Sequence, residues 1–272
     1  MEGDYNMALS KSQALIDRCL RITLFDKATG DAAVLLPEVE EFQISVAIEN
    51  EKTATSASGA TVATFEEGKT AEITGNASFF NYALMEAQSG TAAEEATSSA
   101  TITTPRCDVI TIAEGKATLT QTPVGTSGQE IGAIYEVLPD GGAGKKYEQG
   151  ATASESEFAY AEGELSAPTG VADGTQFFVF YQYASQTAVH MVEDADAFGK
   201  AYRMQAEVLC SSICNSAEKT AMIVVANNAK LSSARDISFT TDGKHPFTLE
   251  CQSDYCGAAG TKRLFEIFVP EE

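Results

Sequence analysis

Residues 42–75 read FQISVAIENEKTATSASGATVATFEEGKTAEITG, and the pattern predicts two strands joined by a long connection. The first seven residues alternate between apolar and polar side chains, which is typical of a strand with one apolar face. That face carries Phe42, Ile44, Val46 and Ile48. Residues 49–68 are small and polar, so they predict a long flexible loop or hairpin tip before the second strand, TAEITG.

The stretch after this hairpin predicts the best helix in the chain. Residues 77–90 read ASFFNYALMEAQSG and follow Asn76, a residue type that favours the N-cap position. Gly90 stands where a helix commonly ends in left-handed backbone. One stripe repeats at helical spacing, and we expect it to pack on the core rather than bind a cofactor. The stripe consists of Phe80, Ala83, Leu84 and Ala87.

The middle of the chain differs from its two ends. From Cys107, short strand patterns alternate with Gly, Pro and Asp clusters, which predicts a small antiparallel β-sandwich. Residues 107–196 are also acidic, with 3 Lys against 14 Asp or Glu. We therefore predict a discontinuous β domain, 1–106 and 197–272, into which the acidic domain is inserted at a surface loop.

Overall charge excludes one large class of function. The 272 residues carry 18 Lys or Arg and 39 Asp or Glu, which gives a formal net charge of −21. Tight binding to a phosphate backbone requires clustered cations, so we expect no specific nucleic-acid binding. The same charge suits solubility, or a surface that DNA must pass without adhering.

Reactive side chains are few, so we expect neither an enzyme nor a cofactor. The chain contains two His and no Trp, and it has neither a His pair at metal-ligand spacing nor a phosphate-binding Gly loop. No apolar run approaches 18 residues, which predicts no membrane span. The first residues lack the basic-then-apolar pattern of a signal peptide, and we expect cytoplasmic synthesis.

Four of the six cysteines form the strongest metal candidate. Two pairs, with three and four residues between their members, could supply four thiolates to a zinc ion. They are Cys210, Cys214, Cys251 and Cys256. The spacing is looser than the usual C-x₂-C pattern, so four unrelated reduced thiols are the simpler interpretation.

The order of these features resembles the tail tube (major tail) proteins of long-tailed bacteriophages. Three stretches carry the resemblance: VEEFQISVAIENE with its small-residue loop and GKTAEITG; the lone helix ASFFNYALMEAQSG; and the closing meander from AYRMQAEVLC to RLFEIFV. The strands between ATLTQTPVGT and GTQFFVFYQYA resemble the Ig-like or sandwich insertions of phage structural proteins.

This resemblance implies a mainly β fold, with a tail-tube-like β-sandwich or barrel, one flanking α-helix and the inserted sandwich. It further implies a virion subunit that forms stacked hexameric rings around a DNA lumen and contacts itself and other tail proteins. Residues 49–68 would bridge to a neighbouring ring. The candidate inter-subunit residues are Phe42, Ile44, Val46, Ile48, Glu49, Lys52, Phe65 and Lys69.

Three other functions stay open on the residues alone. A capsid decoration or auxiliary head protein would also be β-rich, acidic and rich in small residues. An Ig-like surface-binding module would need an exposed aromatic patch. A metal-dependent enzyme or a zinc-stabilised module would use the four late cysteines.

Overall fold

A computed structural model describes residues 14–211, 219–241, 243–253 and 262–269. Within these residues the protein is mainly β-structure with one helix. In chain order the elements are β1 (Leu15–Asp26), β2 (Ala32–Thr55), β3 (Thr61–Ala77), α1 (Tyr82–Ser89), β4 (Glu94–Glu95), β5 (Ile102–Thr111), β6 (Lys116–Thr118), β7 (Ile131–Val137), β8 (Ala143–Gly150), β9 (Glu157–Ala161), β10 (Glu164–Ser166), β11 (Gln176–Ser185), β12 (Val189–His190), β13 (Ala201–Ser211), β14 (Lys219–Leu231), β15 (His245–Cys251) and β16 (Glu266–Phe268).

The chain divides into two compact units, one of residues 1–92 with 191–272 and one of residues 93–190. We call these the barrel unit and the inserted unit. The sequence-based boundaries at 107 and 196 differ from this division, because β5 begins at Ile102 and pairs with β11 over its whole length. The change in charge at Cys107 therefore falls inside a strand rather than at a unit boundary.

The barrel unit is a closed antiparallel sheet. Its strands follow the order β13-β1-β2-β3-β15-β14, and β14 pairs in turn with β13, so the six strands form a complete ring. Strand β16 adds to β14 beside the short stretch where β14 pairs with β15. Closure pairs the edges that an open sheet would expose.

Alternation along these strands fills the barrel with apolar side chains. In β13 every second residue from Tyr202 to Cys210 is buried, and β1, β3 and β15 contribute in the same way. Ile22, Ile73, Met204 and Leu249 are completely buried. Each such side chain contributes about 1.5–3 kcal/mol through removal of its apolar surface from water.

Hydrogen bonds hold together the two chain passages that lead to the inserted unit. In the barrel unit, the Thr91 hydroxyl donates to the Val192 carbonyl oxygen at 2.6 Å. In the inserted unit, β4 pairs with β12, so Glu94 lies opposite His190. The entering and leaving chains are thus neighbours at the junction, as expected for an insertion at a surface loop.

Besides the β4–β12 pair, the inserted unit contains one seven-stranded sheet in the order β5-β11-β7-β8-β9-β10-β6. All of its strand pairs are antiparallel except β8–β9. On the central strand β11, Phe177, Val179 and Tyr181 are buried, whereas Phe180 on the other face is 43% exposed. The sheet therefore covers its core with one face and leaves the other face open.

A buried carboxylate organises the polar side of the inserted unit's core. Asp108 accepts hydrogen bonds from the Tyr181 hydroxyl at 2.7 Å, the Thr120 N–H at 2.8 Å and Arg106 Nε at 2.7 Å. Burial alone would raise the pKa of Asp108, but these three donors outweigh it and hold the pKa below its usual range. The network ties β5 to β11 and to the loop after β6.

The helix α1 is shorter than its sequence pattern predicts. Asn76 lies in β3, and the N-cap is Asn81, whose side chain accepts a hydrogen bond from the Leu84 N–H at 2.9 Å. The predicted stop at Gly90 is confirmed: its φ is 74°, and an added Cβ would lie 2.3 Å from the Phe198 carbonyl oxygen. Gly90 is therefore required both for the turn and for close packing.

A buried histidine joins α1 to β15. His245 Nδ1 accepts from the Asn81 N–H at 3.3 Å, while Nε2 lies 2.8 Å from Gln88 Oε1. Phe80 stacks on the imidazole with ring centroids 5.1 Å apart. Burial, with a smaller effect of nearby Arg235, lowers the pKa of His245 to about 4, so the imidazole is neutral at physiological pH.

We predict that this histidine makes the barrel unit sensitive to mild acid. The unfolded chain takes up a proton on this side chain near pH 6.5, whereas the folded chain does so only near its lowered pKa of about 4. Stability is therefore complete above pH 6.5 and is lost as the pH falls. Urea unfolding should show a loss of about 2 kcal/mol between pH 7.5 and 5.0.

Two variants serve as controls for this measurement. His190→Gln changes the exposed histidine and should keep the full pH dependence. His245→Gln should be less stable at pH 7.5 but should lose the pH dependence over the same window. A wild-type protein with equal stability at both pH values would contradict the assignment.

We also predict that the barrel unit folds without the insertion. The variant replaces residues 93–190 by a short Gly-Ser linker between Ala92 and Met191. Because Thr91 and Val192 are already hydrogen-bonded, a short linker closes the gap without strain. Thermal unfolding followed by circular dichroism should show one cooperative transition, and a β-rich spectrum without a transition would contradict the prediction.

Candidate assembly surface on the β2–β3 arm

The hairpin of β2 and β3 extends well beyond the barrel. β1 pairs with β2 no further along the hairpin than Val39, and β15 pairs with β3 no further than Ala71. Residues 47–70, which we call the arm, therefore pair only with each other. At about 3.4 Å per residue, the nine residues of β2 in the arm extend about 30 Å.

A short turn closes the arm. The Ser56 N–H donates to the Ala60 carbonyl oxygen at 2.8 Å, and the Gly59 N–H donates to the Ser56 carbonyl oxygen at 2.9 Å. The connection between the strands thus spans only residues 56–60, whereas the sequence pattern predicted a loop or hairpin tip over residues 49–68. The hairpin alternative is confirmed, and most of its length is paired strand.

A β-bulge bends β2 within the barrel, before the arm begins. The register shifts between Glu40 and Gln43, and both Glu38 (φ 58°) and Glu41 (φ 53°) adopt left-handed backbone. Asn76 Nδ2 donates to Glu41 Oε2 at 2.6 Å and thereby holds the bulge. Such bulges increase local twist and redirect a strand, so the bulge sets the direction in which the arm leaves the barrel.

One face of the arm continues the apolar face of the barrel core. Directly opposite residues of two strands share a face, so Ile48 lies with Lys69 and Phe65 lies with Lys52. The buried residues Ala71 and Ile73 lie on the same face, on the barrel side of these pairs. Phe65 is 58% exposed. The face of the hairpin that fills the core inside the barrel is therefore exposed to solvent along the arm.

Two lysines border this apolar face and differ in their pairing. Lys52 Nζ lies 2.8 Å from Glu67 Oε2 on the same face. Lys69 has no ion-pair partner in the part of the chain that the structure describes. The apolar face thus carries one unpaired positive charge.

The opposite face of the arm is acidic and rich in threonine. Glu51 lies directly opposite Glu66, and Glu49 is two residues away on the same face. Like charges directly opposite each other on a sheet repel, so this face favours solvent over another acidic surface. The arm is therefore amphipathic across its two faces.

The predicted inter-subunit residues fall into three groups. Phe42 and Ile44 are partly buried and pack against the barrel core. Five residues lie on the apolar face of the arm or at its base: Val46, Ile48, Lys52, Phe65 and Lys69. Glu49 lies on the acidic face. The structure shows where these residues lie, and their contacts with another subunit stay a prediction.

A second exposed surface was missed by the sequence pattern, which assigned Phe80 to the core-facing side of the helix. Phe80 precedes α1 and contacts Tyr82 and Phe239, with ring centroids 5.3 and 6.1 Å apart. Phe239 is 86% exposed, and Phe79 is also exposed. We call Phe79, Phe80, Tyr82 and Phe239 the aromatic patch. The sequence carries a signal for this surface. Phe79 and Phe80 directly precede Asn81, a polar N-cap, and residues before an N-cap lie outside the helix.

The four cysteines of the zinc hypothesis are only partly described. Cys210 and Cys251 are buried in the barrel, where burial raises the pKa of Cys251 to about 11. Cys214 and Cys256 lie outside the described residues. Among the residues that the structure describes, no group of three or more His, Cys, Asp or Glu side chains could hold a metal ion.

Comparison with known proteins identifies the family. Residues 14–258 match the YomU/Tube protein family, a range that includes the barrel strands up to β15, the arm and the inserted unit. The chain belongs to the YomU/Tube protein family. No curated protein sequence matches this chain. Family membership supports a phage tail tube-type protein with a structural role, located in the virion tail.

The family name also implies that this YomU/Tube protein assembles with itself and with other tail proteins. The resemblance noted from the sequence is supported at this level, while an Ig-like character of the inserted unit stays a prediction. No helix in the described part of the chain is long and apolar enough to cross a membrane.

We predict that the left-handed backbone of Glu38, beside the bulge, reverses the usual preference of strands for Val over Gly. At Glu38, whose φ is 58°, Glu38→Gly should stabilise the protein slightly, because Gly adopts left-handed backbone without a steric penalty. Glu38→Val should destabilise it by about 1–2 kcal/mol. Urea unfolding of the purified variants measures both effects.

The matched control is Glu72 in the regular part of β3, where the order should reverse and Val should be more stable than Gly. The same order of stability at both positions would show that Glu38 carries no backbone strain.

Proposed function

We propose that this chain is the repeating subunit of a phage tail tube, which self-assembles into stacked hexameric rings through which DNA passes. The arm is the observation that carries the proposal, because it projects paired backbone and an exposed apolar face away from a closed barrel. In this proposal the chain performs no reaction, uses no cofactor and acts by joining copies of itself.

The physical basis of assembly is the unpaired backbone along the two outer edges of the arm. Neither outer edge of the arm has a strand partner within the described residues, so each edge presents free N–H and C=O groups. A neighbouring strand can satisfy these groups, and burial of Ile48 and Phe65 against a neighbour would remove their apolar surface from water. Repetition of one such contact builds rings or stacks.

Charge supports passage of DNA without binding. The net charge of −21 gives a phosphate backbone no general attraction, and salt-dependent binding requires lysine or arginine contacts to phosphates. Arg21, Lys52 and Lys219 are each paired with a carboxylate of this chain. We propose that the lumen surface repels DNA weakly and so permits its movement.

The experiment that tests this function compares the full-length protein with an arm-deleted variant. The variant joins Val46 to Ala71 through Asn-Gly; these residues lie directly opposite each other, so a two-residue turn can connect them. We expect the full-length protein to form rings or tubes in negative-stain images at high concentration, and the variant to remain small.

Thermal unfolding of the variant tests whether the barrel is intact, because the deleted residues contribute little to its core. Wild-type protein that stays monomeric at every concentration would contradict the proposed function. Closed trimers in place of tubes would favour a capsid decoration protein.

A further inference from the structure

We propose that the arm of one copy docks on the aromatic patch of the next copy, through the arm's apolar face. The inference rests on the proposed function and adds to it the surface that receives the arm. It follows from the position of the two surfaces, their composition and their charges.

The two surfaces lie at opposite ends of one strand. β3 begins at Thr61 beside the arm's turn and ends at Ala77, immediately before the aromatic patch. At about 3.3 Å per residue, the 16 steps between these residues span about 50 Å. A paired hairpin cannot fold back over this distance, so an arm reaches the patch of another copy and not its own.

The compositions of the surfaces are complementary. The arm offers aliphatic Ile48 and aromatic Phe65, with Val46 exposed at its base. The patch offers exposed aromatic rings, and one of them, Phe80, is held in position because it stacks on buried His245. Rigid exposed aromatic side chains are enriched at the energetic centres of protein interfaces. Contact between the two surfaces would bury apolar side chains that are exposed in the single chain.

The unpaired charges at the two surfaces have opposite signs. Lys69 lies on the apolar face of the arm without an ion-pair partner among the described residues. Glu38 lies beside the patch, because its carbonyl oxygen accepts a hydrogen bond from the Ser78 hydroxyl at 3.0 Å. The Glu38 carboxylate has no ion-pair partner among the described residues. Docking would place a free ammonium group near a free carboxylate, which favours this orientation over its reverse.

A contact between two different surfaces has a direct consequence for assembly. Each copy then carries one donor and one acceptor, and the contact repeats without closing on a pair. Because the donor and the acceptor lie at opposite ends of the hairpin, successive copies stack along its axis. The polarity of a tube would thus be set within each subunit.

The experiment combines two variants that each lose one surface. Phe65→Glu disables the arm and Phe239→Glu disables the patch, and both positions are exposed, so folding should be unchanged by circular dichroism. Each variant alone should raise the critical concentration for tube formation by about tenfold or more. Mixed together, they should form one arm–patch junction, which yields pairs of copies or pairs of rings but no tubes.

Matched controls isolate the two surfaces. Thr53→Glu adds the same charge to the acidic face of the arm and should leave tube formation unchanged. Lys69→Glu should weaken assembly, and addition of Glu38→Lys in the same chain should restore it. Analytical ultracentrifugation and negative-stain imaging measure every variant.

The outcomes separate this inference from the proposed function. Wild-type tubes with unimpaired assembly of either Phe65→Glu or Phe239→Glu would overturn the arm–patch contact and leave the tube function standing. A mixture that forms no paired species would also overturn it, because an intact arm and an intact patch would then be present without binding each other. A wild-type protein that never assembles would overturn both.

Discussion

The pairing of β2 with β3 is the constraint on which the rest of the structure depends. Its register is set in the barrel, where Ile73 must face the core opposite Ile44. Because side chains alternate with a period of two, the same register continues outward and decides which face of the arm is apolar. Ile48 and Phe65 thus have the orientation of core residues where no core covers them. The arm is therefore a direct extension of barrel packing.

The sequence predicts some of these features because their signals are local. Alternation in FQISVAI specifies a strand face, and Gly90 specifies left-handed backbone, whatever surrounds them. Residues 49–68 carry a weaker signal, since their Thr and Ala side chains suit strands and loops almost equally. Pairing with a partner strand decides between these alternatives. The sequence therefore indicated a hairpin there but could not place its turn at residues 56–60.

The errors at the helix have a physical cause as well. Asn76 and Asn81 are equally good N-cap residues, and Phe80 fits the helical stripe if the helix begins early. The structure begins the helix late because Asn76 is held in β3, where it pairs with residues of β2 and β15. His245 then accepts the Asn81 N–H, which a residue inside a longer helix would donate to a carbonyl. The contacts with β15 join residues more than 160 positions apart, so no local pattern reveals them.

Unpaired sheet edges are a hazard as well as an opportunity, because any exposed strand can add to them. On the arm this hazard is limited by the acidic face, where Glu51 and Glu66 already repel each other. Two arms stacked through these faces would bring four such carboxylates together and would gain no apolar burial in return. The apolar face carries only one unpaired charge, that of Lys69, and so it alone gains from contact. Assembly can then be strong in one orientation, although the chain as a whole is highly acidic.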